Sequence, residues 1–134
     1  MIASKYPLVM IFGTFDGLHP GHEYFINSAR DCGQKLTVVV ARDQNARKFR
    51  KNLLQHEMTR KKLIKKRFRD VLVVLGDKID PMKMVKKYRP DLICLGYDQI
   101  GFSAVLKKRF PRIPIKRLKS FHPEIYKSSK LKRK

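Results

Sequence analysis

The segment Gly13-Thr14-Phe15-Asp16-Gly17-Leu18-His19-Pro20-Gly21-His22 places two imidazoles and a carboxylate within ten residues. Pro20 suits the first turn of a helix, so both histidines fall at a helix mouth. The N-terminal N–H groups and positive end of that helix make an anion site. Gly21 between the histidines leaves room for a ligand to approach the backbone. No Ser or Cys stands beside a base, so nothing here favours a covalent intermediate. The P-loop pattern, with its Lys and Ser/Thr, is absent. Two histidine donors at a helix N-terminus suit direct in-line transfer, in which charge builds on phosphate oxygens and must be stabilised. A zinc site would need further ligands. His56 and His122 lack a ligand pattern and read as surface or capping residues.

Such a motif needs elements that hold it. Leu8–Phe12 is a continuous apolar run ending at Gly13, the pattern of a strand buried on both faces. After Pro20, the residues Phe25, Ile26, Ala29 and Cys32 recur at helical spacing, and Gly33 reads as the stop. Leu36–Ala41, Val71–Leu75, Leu92–Leu95 and Ile113–Ile115 read as four more strands. Between them, helices are predicted over His56–Phe68 (inner stripe Leu63, Ile64 and Phe68), from Asp80-Pro81 with Met82, Val85 and Tyr88 buried, and near Ala104–Phe110. Strands alternating with helices predict one doubly wound, Rossmann-like α/β domain over residues 1–134 with a five-stranded parallel sheet. In such a fold a ligand sits beyond the carboxyl ends of the strands, at the switch point.

The 134 residues carry 32 Lys+Arg against 11 Asp+Glu, a formal charge of +21. The first 45 residues are balanced, with Lys5, Arg30, Lys35 and Arg42 against Asp16, Glu23, Asp31 and Asp43. All of the excess therefore lies after the histidine motif, concentrated in Arg47–Arg69 and Lys107–Lys134. Such runs fit a solvated surface or a polyanionic partner, a nucleotide triphosphate or nucleic acid among them. A non-catalytic nucleic-acid-binding domain is the competing class of function, but it gives the histidine motif no use. No apolar run approaches the roughly 18–20 residues of a membrane span, and the opening residues lack a secretory apolar core. Cys32 and Cys94 form no CxxC pair and read as buried, reduced thiols, so the expectation is a cytoplasmic protein without a membrane role.

Gly13–His22 resembles the G-T-F-D-x-x-H-x-G-H signature of the cytidylyltransferase-like nucleotidyltransferases. That family joins a nucleoside monophosphate from an NTP to a phosphorylated acceptor and releases pyrophosphate. Ala41-Arg42-Asp43 and Leu95-Gly96-Tyr97-Asp98-Gln99 resemble the archaeal-type FAD synthases, which adenylylate FMN. Lys127-Ser128-Ser129-Lys130-Leu131 is similar to the family's late I-S-x-x-K-[IL] motif.

The resemblance implies that His19 and His22 bind the NTP phosphates and stabilise the transition state. It implies nucleotide contacts from Gly13, Thr14, Phe15, Gly21, Asp98, Ser128 and Ser129, and acceptor contacts from Asp16, Lys48, Lys51 and Arg60. Read alone, Asp16 and Asp98 also fit Asx-type turns, and Ser128 or Ser129 a helix N-cap. ATP with FMN is the implied substrate pair, and CTP with glycerol 3-phosphate the alternative. Mg²⁺ would come with the NTP, no protein metal ligands are assigned, and a homodimer matches the habit of relatives.

Overall fold

A computed structural model describes residues 5–48, 52–96 and 99–119. Five strands, β1 (Tyr6–Gly13), β2 (Gly33–Val40), β3 (Leu72–Leu75), β4 (Leu92–Leu95) and β5 (Ile115–Arg117), alternate with five helices. These are α1 (Pro20–Arg30), α2 (Asp43–Ala46), α3 (Glu57–Arg67), α4 (Lys83–Tyr88) and α5 (Ile100–Arg109). All strand pairs are parallel and the order is β3-β2-β1-β4-β5. The chain builds outward from β1 to β3, then returns to place β4 on the other side of β1. The switch point therefore lies between β1 and β4.

Alternation along β1 explains why the sheet is apolar on both faces. Val9 and Ile11 point to one layer, with Ile26 and Ala29 of α1 and Ile64 of α3. Met10 and Phe12 point to the other, with Met84 and Val85 of α4 and Leu106 of α5. Burying a β1 side chain in either layer contributes about 1.5–3 kcal/mol.

Several boundaries differ from the sequence reading. The first helix ends at Arg30, with Asp31 as a right-handed C-cap, so Cys32 is outside it. Gly33 is not a helix terminator. It opens β2 opposite Tyr6, where a Cβ would run into the Val9 side chain and lie 2.7 Å from the Tyr6 carbonyl oxygen. Leu63 is only partly buried, because α3 turns Arg60, Ile64 and Phe68 inward at i, i+4, i+8. Helix α4 starts at Lys83, after a turn in which the Asp80 carboxylate accepts from the Met82 N–H. The last strand is shifted to Ile115–Arg117, and α2 is an element that the apolar pattern did not announce.

Both cysteines are free thiols, Cys94 buried and Cys32 partly so. Burial, reinforced by the neighbouring Cys32, pushes the Cys94 thiol up to about 12, so it stays protonated and unreactive. No helix among the described residues is long and apolar enough to cross a membrane. The Gly33 contact gives a sharp test. Gly33→Ala is expected to lower unfolding free energy by about 1–3 kcal/mol through overpacking, read from the urea midpoint at constant slope.

Candidate active site

Strand β1 ends at Gly13, and the chain then makes a tight bend before α1. Phe15 carries a φ of 54° and Gly17 a φ of 69°. A left-handed Phe costs energy, and here the buried ring offsets it. That ring tucks under Gly13, where a Cβ would lie 2.6 Å from it, and meets the His22 ring edge-on at 5.5 Å. Phe15 therefore offers a ligand only its backbone.

His19 is the N-cap of α1 and Pro20 its first residue. The His19 Nδ1 accepts from the Gly21 N–H at 3.1 Å, and His22 Nδ1 accepts from the His19 N–H at 3.3 Å, a reciprocal capping box made by two imidazoles. The rings stack 3.6 Å apart with 22° between their planes. With both Nδ1 atoms accepting, the proton of each uncharged ring sits on Nε2. One expectation changes here. The Gly21 N–H is already engaged by His19, so this amide is not open to a phosphate. Gly21 is small for His19's sake as well, because a Cβ would come within 2.9 Å of that ring.

Beneath the loop lies a charged cluster that takes in Arg60 and Asp16, two of the residues expected at the acceptor. Arg60 is 0% exposed. Its Nη2 meets Asp43 Oδ1 at 2.5 Å, Nη1 donates to the Thr14 carbonyl at 2.8 Å, and Nε donates to the Gln55 carbonyl at 3.1 Å. A guanidinium so committed cannot reach a substrate, and Arg60 instead fixes the backbone of the motif. Asp16, 4% exposed, is also turned inward. Its two oxygens accept from the N–H groups of Leu54 and Gln55 at 2.8 and 2.9 Å, the turn-tightening alternative carried across to a distant loop. Gln55 returns the tie by accepting from the Gly17 N–H at 3.1 Å.

Glu57 closes the cluster, accepting from the Asp43 N–H at 2.8 Å and from Arg42 Nη1 at 3.2 Å, while Arg42 Nε donates to the Gly76 carbonyl. His56 caps α3 and lies 3.4 Å from Asp43. Burial pushes the Asp43 carboxyl up, but the Arg60 guanidinium, the Glu57 backbone and His56 outweigh it and hold it below its ordinary value. Glu57 is likewise held low, first by the Asp43 N–H, against burial, and with help from Arg42.

Lys48 is exposed just beyond α2, at the carboxyl end of β2. Lys51, Asp98, Ser128 and Ser129 lie outside the described residues. A residue not assigned a role from sequence, Gln99, bridges the switch point: its Nε2 donates to the Phe12 carbonyl at 3.1 Å and its Oε1 accepts from the Gly96 N–H at 2.9 Å. Only its place in the segment beginning at Leu95 singled it out. The described residues contain no group of three or more His, Cys, Asp or Glu able to hold a metal ion.

The charged cluster has a definite pH signature. Carboxyls held low in the folded state contribute stability above their unfolded values of 3.8 and 4.5, and lose it as pH falls through the folded ones. Unfolding free energy is thus expected to drop from about pH 5 downward. Arg60→Ala, which strands Asp43, is expected to cost about 3–5 kcal/mol at pH 7 and to flatten the acid limb. Denaturant titrations at three pH values check both.

The cytidylyltransferase-like family model matches residues 10–134. An FAD synthase of Aciduliprofundum boonei is 38% identical over 117 residues, 84% of this chain and 78% of the relative. One of Thermoplasma volcanium is 35% identical over 130 residues, 94% of this chain and 92% of the relative. Among solved structures, the lipopolysaccharide core biosynthesis protein of Thermoplasma volcanium superposes with a TM-score of 0.75 at 36% identity, covering 87% of this chain and 97% of that one. A NadR protein in complex with NAD and AMP-PNP matches with a TM-score of 0.61 at 18% identity, covering 96% of this chain and 42% of that one, a likeness of fold.

Proposed function

Since the chain belongs to the cytidylyltransferase-like family, we propose that it is a nucleotidyltransferase that moves the adenylyl group of ATP to FMN, giving FAD and pyrophosphate. The observation that carries this reading is the stacked histidine pair at the N-terminus of α1, in a chain this similar to FAD synthases.

In the proposed reaction an FMN phosphate oxygen attacks the α-phosphorus of ATP. A new O–P bond forms in line as the bond to the bridging oxygen breaks, and the electron pair leaves with pyrophosphate. The acceptor is itself the nucleophile, so the protein has to position, neutralise charge and exclude water. The two Nε2–H groups donate to phosphate oxygens on which charge accumulates. The backbone of Gly13 and Thr14 lies along the nucleotide, held from below by Arg60. Lys48 and Lys51 draw in the acceptor phosphate, and Asp98, Ser128 and Ser129 complete the nucleotide side. Mg²⁺ carried by the triphosphate would supply charge screening. The Asp16 carboxylate of the motif has both oxygens on backbone N–H groups, so the triphosphate itself would carry the cation.

A pyrophosphate-release screen crossing ATP and CTP with FMN, glycerol 3-phosphate and phosphocholine tests the pairing. Release with ATP and FMN alone is the expected result, and activity confined to CTP with glycerol 3-phosphate would overturn it. His19→Ala and His22→Ala are each expected to lower turnover by about two to four orders of magnitude. Folding should survive in both, as checked by circular dichroism.

A further inference from the structure

The junction between β1 and β4 is the least zipped in the sheet. Its register pairs are Val9 with Leu92 and Met10 with Ile93, whereas β1 and β2 stay paired as far as Gly13 and Val40. Beyond Met10 and Ile93 the two strands have no further register pair, and this is where a doubly wound sheet takes its ligand. The Phe12 carbonyl lies past the last paired residue on β1, and the Gly96 N–H lies just past the end of β4. The amide of Gln99 satisfies both. The Gln99 N–H also donates to the Gly96 carbonyl at 3.1 Å, and Phe102 of α5 packs edge-on against Phe12 at 4.9 Å. One side chain thus continues the β1–β4 ladder across its gap, with a primary amide in place of a peptide group.

We propose that Gln99 is a positioning residue for the nucleotide: its amide sets the width of the β1–β4 crevice and the placement of the Gly13-Thr14 backbone relative to Gly96. This rests on the nucleotidyltransferase reading above. The chemistry explains the residue type. One planar group must donate toward β1 and accept from β4 at the same reach. An ionised Glu loses the donor, Asn is a methylene shorter, and Met keeps the volume without either hydrogen bond. Both partners of Gln99 are backbone atoms at strand ends, and the side chain is only partly buried. Its loss therefore disturbs the crevice more than the core.

The test compares wild type with Gln99→Met and Gln99→Glu. ATP and CTP with Mg²⁺ are titrated calorimetrically without acceptor, and KM for nucleotide and for FMN is then measured separately. At about pH 8 both variants are expected to bind the preferred nucleotide about tenfold more weakly, with KM for FMN within about twofold of wild type and little change in melting temperature. Lowering the pH toward about 5.5 protonates a Glu held against a carbonyl and restores its donor. Gln99→Glu should then regain nucleotide affinity relative to wild type at the same pH, and Gln99→Met should not.

Nucleotide affinity within about twofold of wild type in Gln99→Met, or equal losses toward nucleotide and FMN, would overturn the proposal. So would a Gln99→Glu affinity that tracks wild type across the pH range. Wild type that binds ATP but makes no FAD would defeat the FMN reading while the titration still decides the role of Gln99.

Discussion

The ion pair between Arg60 and Asp43 is the constraint from which the rest of the site hangs. It joins α3 to the element that follows β2, and through Thr14 it reaches the end of β1. Asp16 and Gln55 complete the circuit from the motif back to the start of α3. A buried pair of this kind adds little net stability over an apolar substitute, because desolvation cancels most of the attraction. What it supplies is uniqueness. A guanidinium in an apolar layer must find its partners, and only one arrangement of Thr14, Gln55 and Asp43 provides them. The left-handed Phe15 is tolerable inside that frame, while the two imidazoles take their stacked geometry from the reciprocal cap of α1.

The sequence made the fold legible because parallel strands buried on both faces read as continuous apolar runs, and five such runs alternate with helical spacing. The histidine pair was legible for a related reason: a strand, a glycine turn and a proline-started helix fix where it must lie. The direction in which individual side chains point was not legible. Arg60 and Asp16 were expected at a substrate because the family resemblance puts acceptor contacts at their positions. Their inward orientation depends on partners 46 and 38 residues away in sequence, Thr14 and Leu54. Gly33 followed a helical run and so resembled a terminator, whereas its reason is the closeness of β1, again a contact that no local pattern announces. Gln99 carries no charge and no catalytic chemistry, so beyond its place in the segment from Leu95 only the bonds it makes distinguish it.

The charge excess takes on a different meaning once the ion pairs are known. Arg30, Arg42, Arg60, Arg67 and Arg109 are all paired with carboxylates. Acidic residues are few, and much of that supply is spent in fixing arginines at element junctions. The lysines of α3 and α5 are left as the broad positive surface. That surface raises the local concentration of anionic substrates in low salt, and the chemistry itself stays in the charge-balanced first third.

The sparse β1–β4 junction also bears on how the chain assembles. Its register joins Val9 to Leu92, 83 residues on, while the pairs Tyr6–Gly33, Thr37–Leu72 and Ile93–Ile115 span 27, 35 and 22. Loop-closure entropy rises with span, so this seam is the costliest junction of the sheet to bring together and has the fewest register pairs. On the proposed reading, a nucleotide bound across it would bridge the two halves of the sheet at their sparsest join. Its binding energy would then add to the stability of the native state as a whole. The substrate would act as a cross-link between early and late segments of the chain, and the folded population would rise with its concentration.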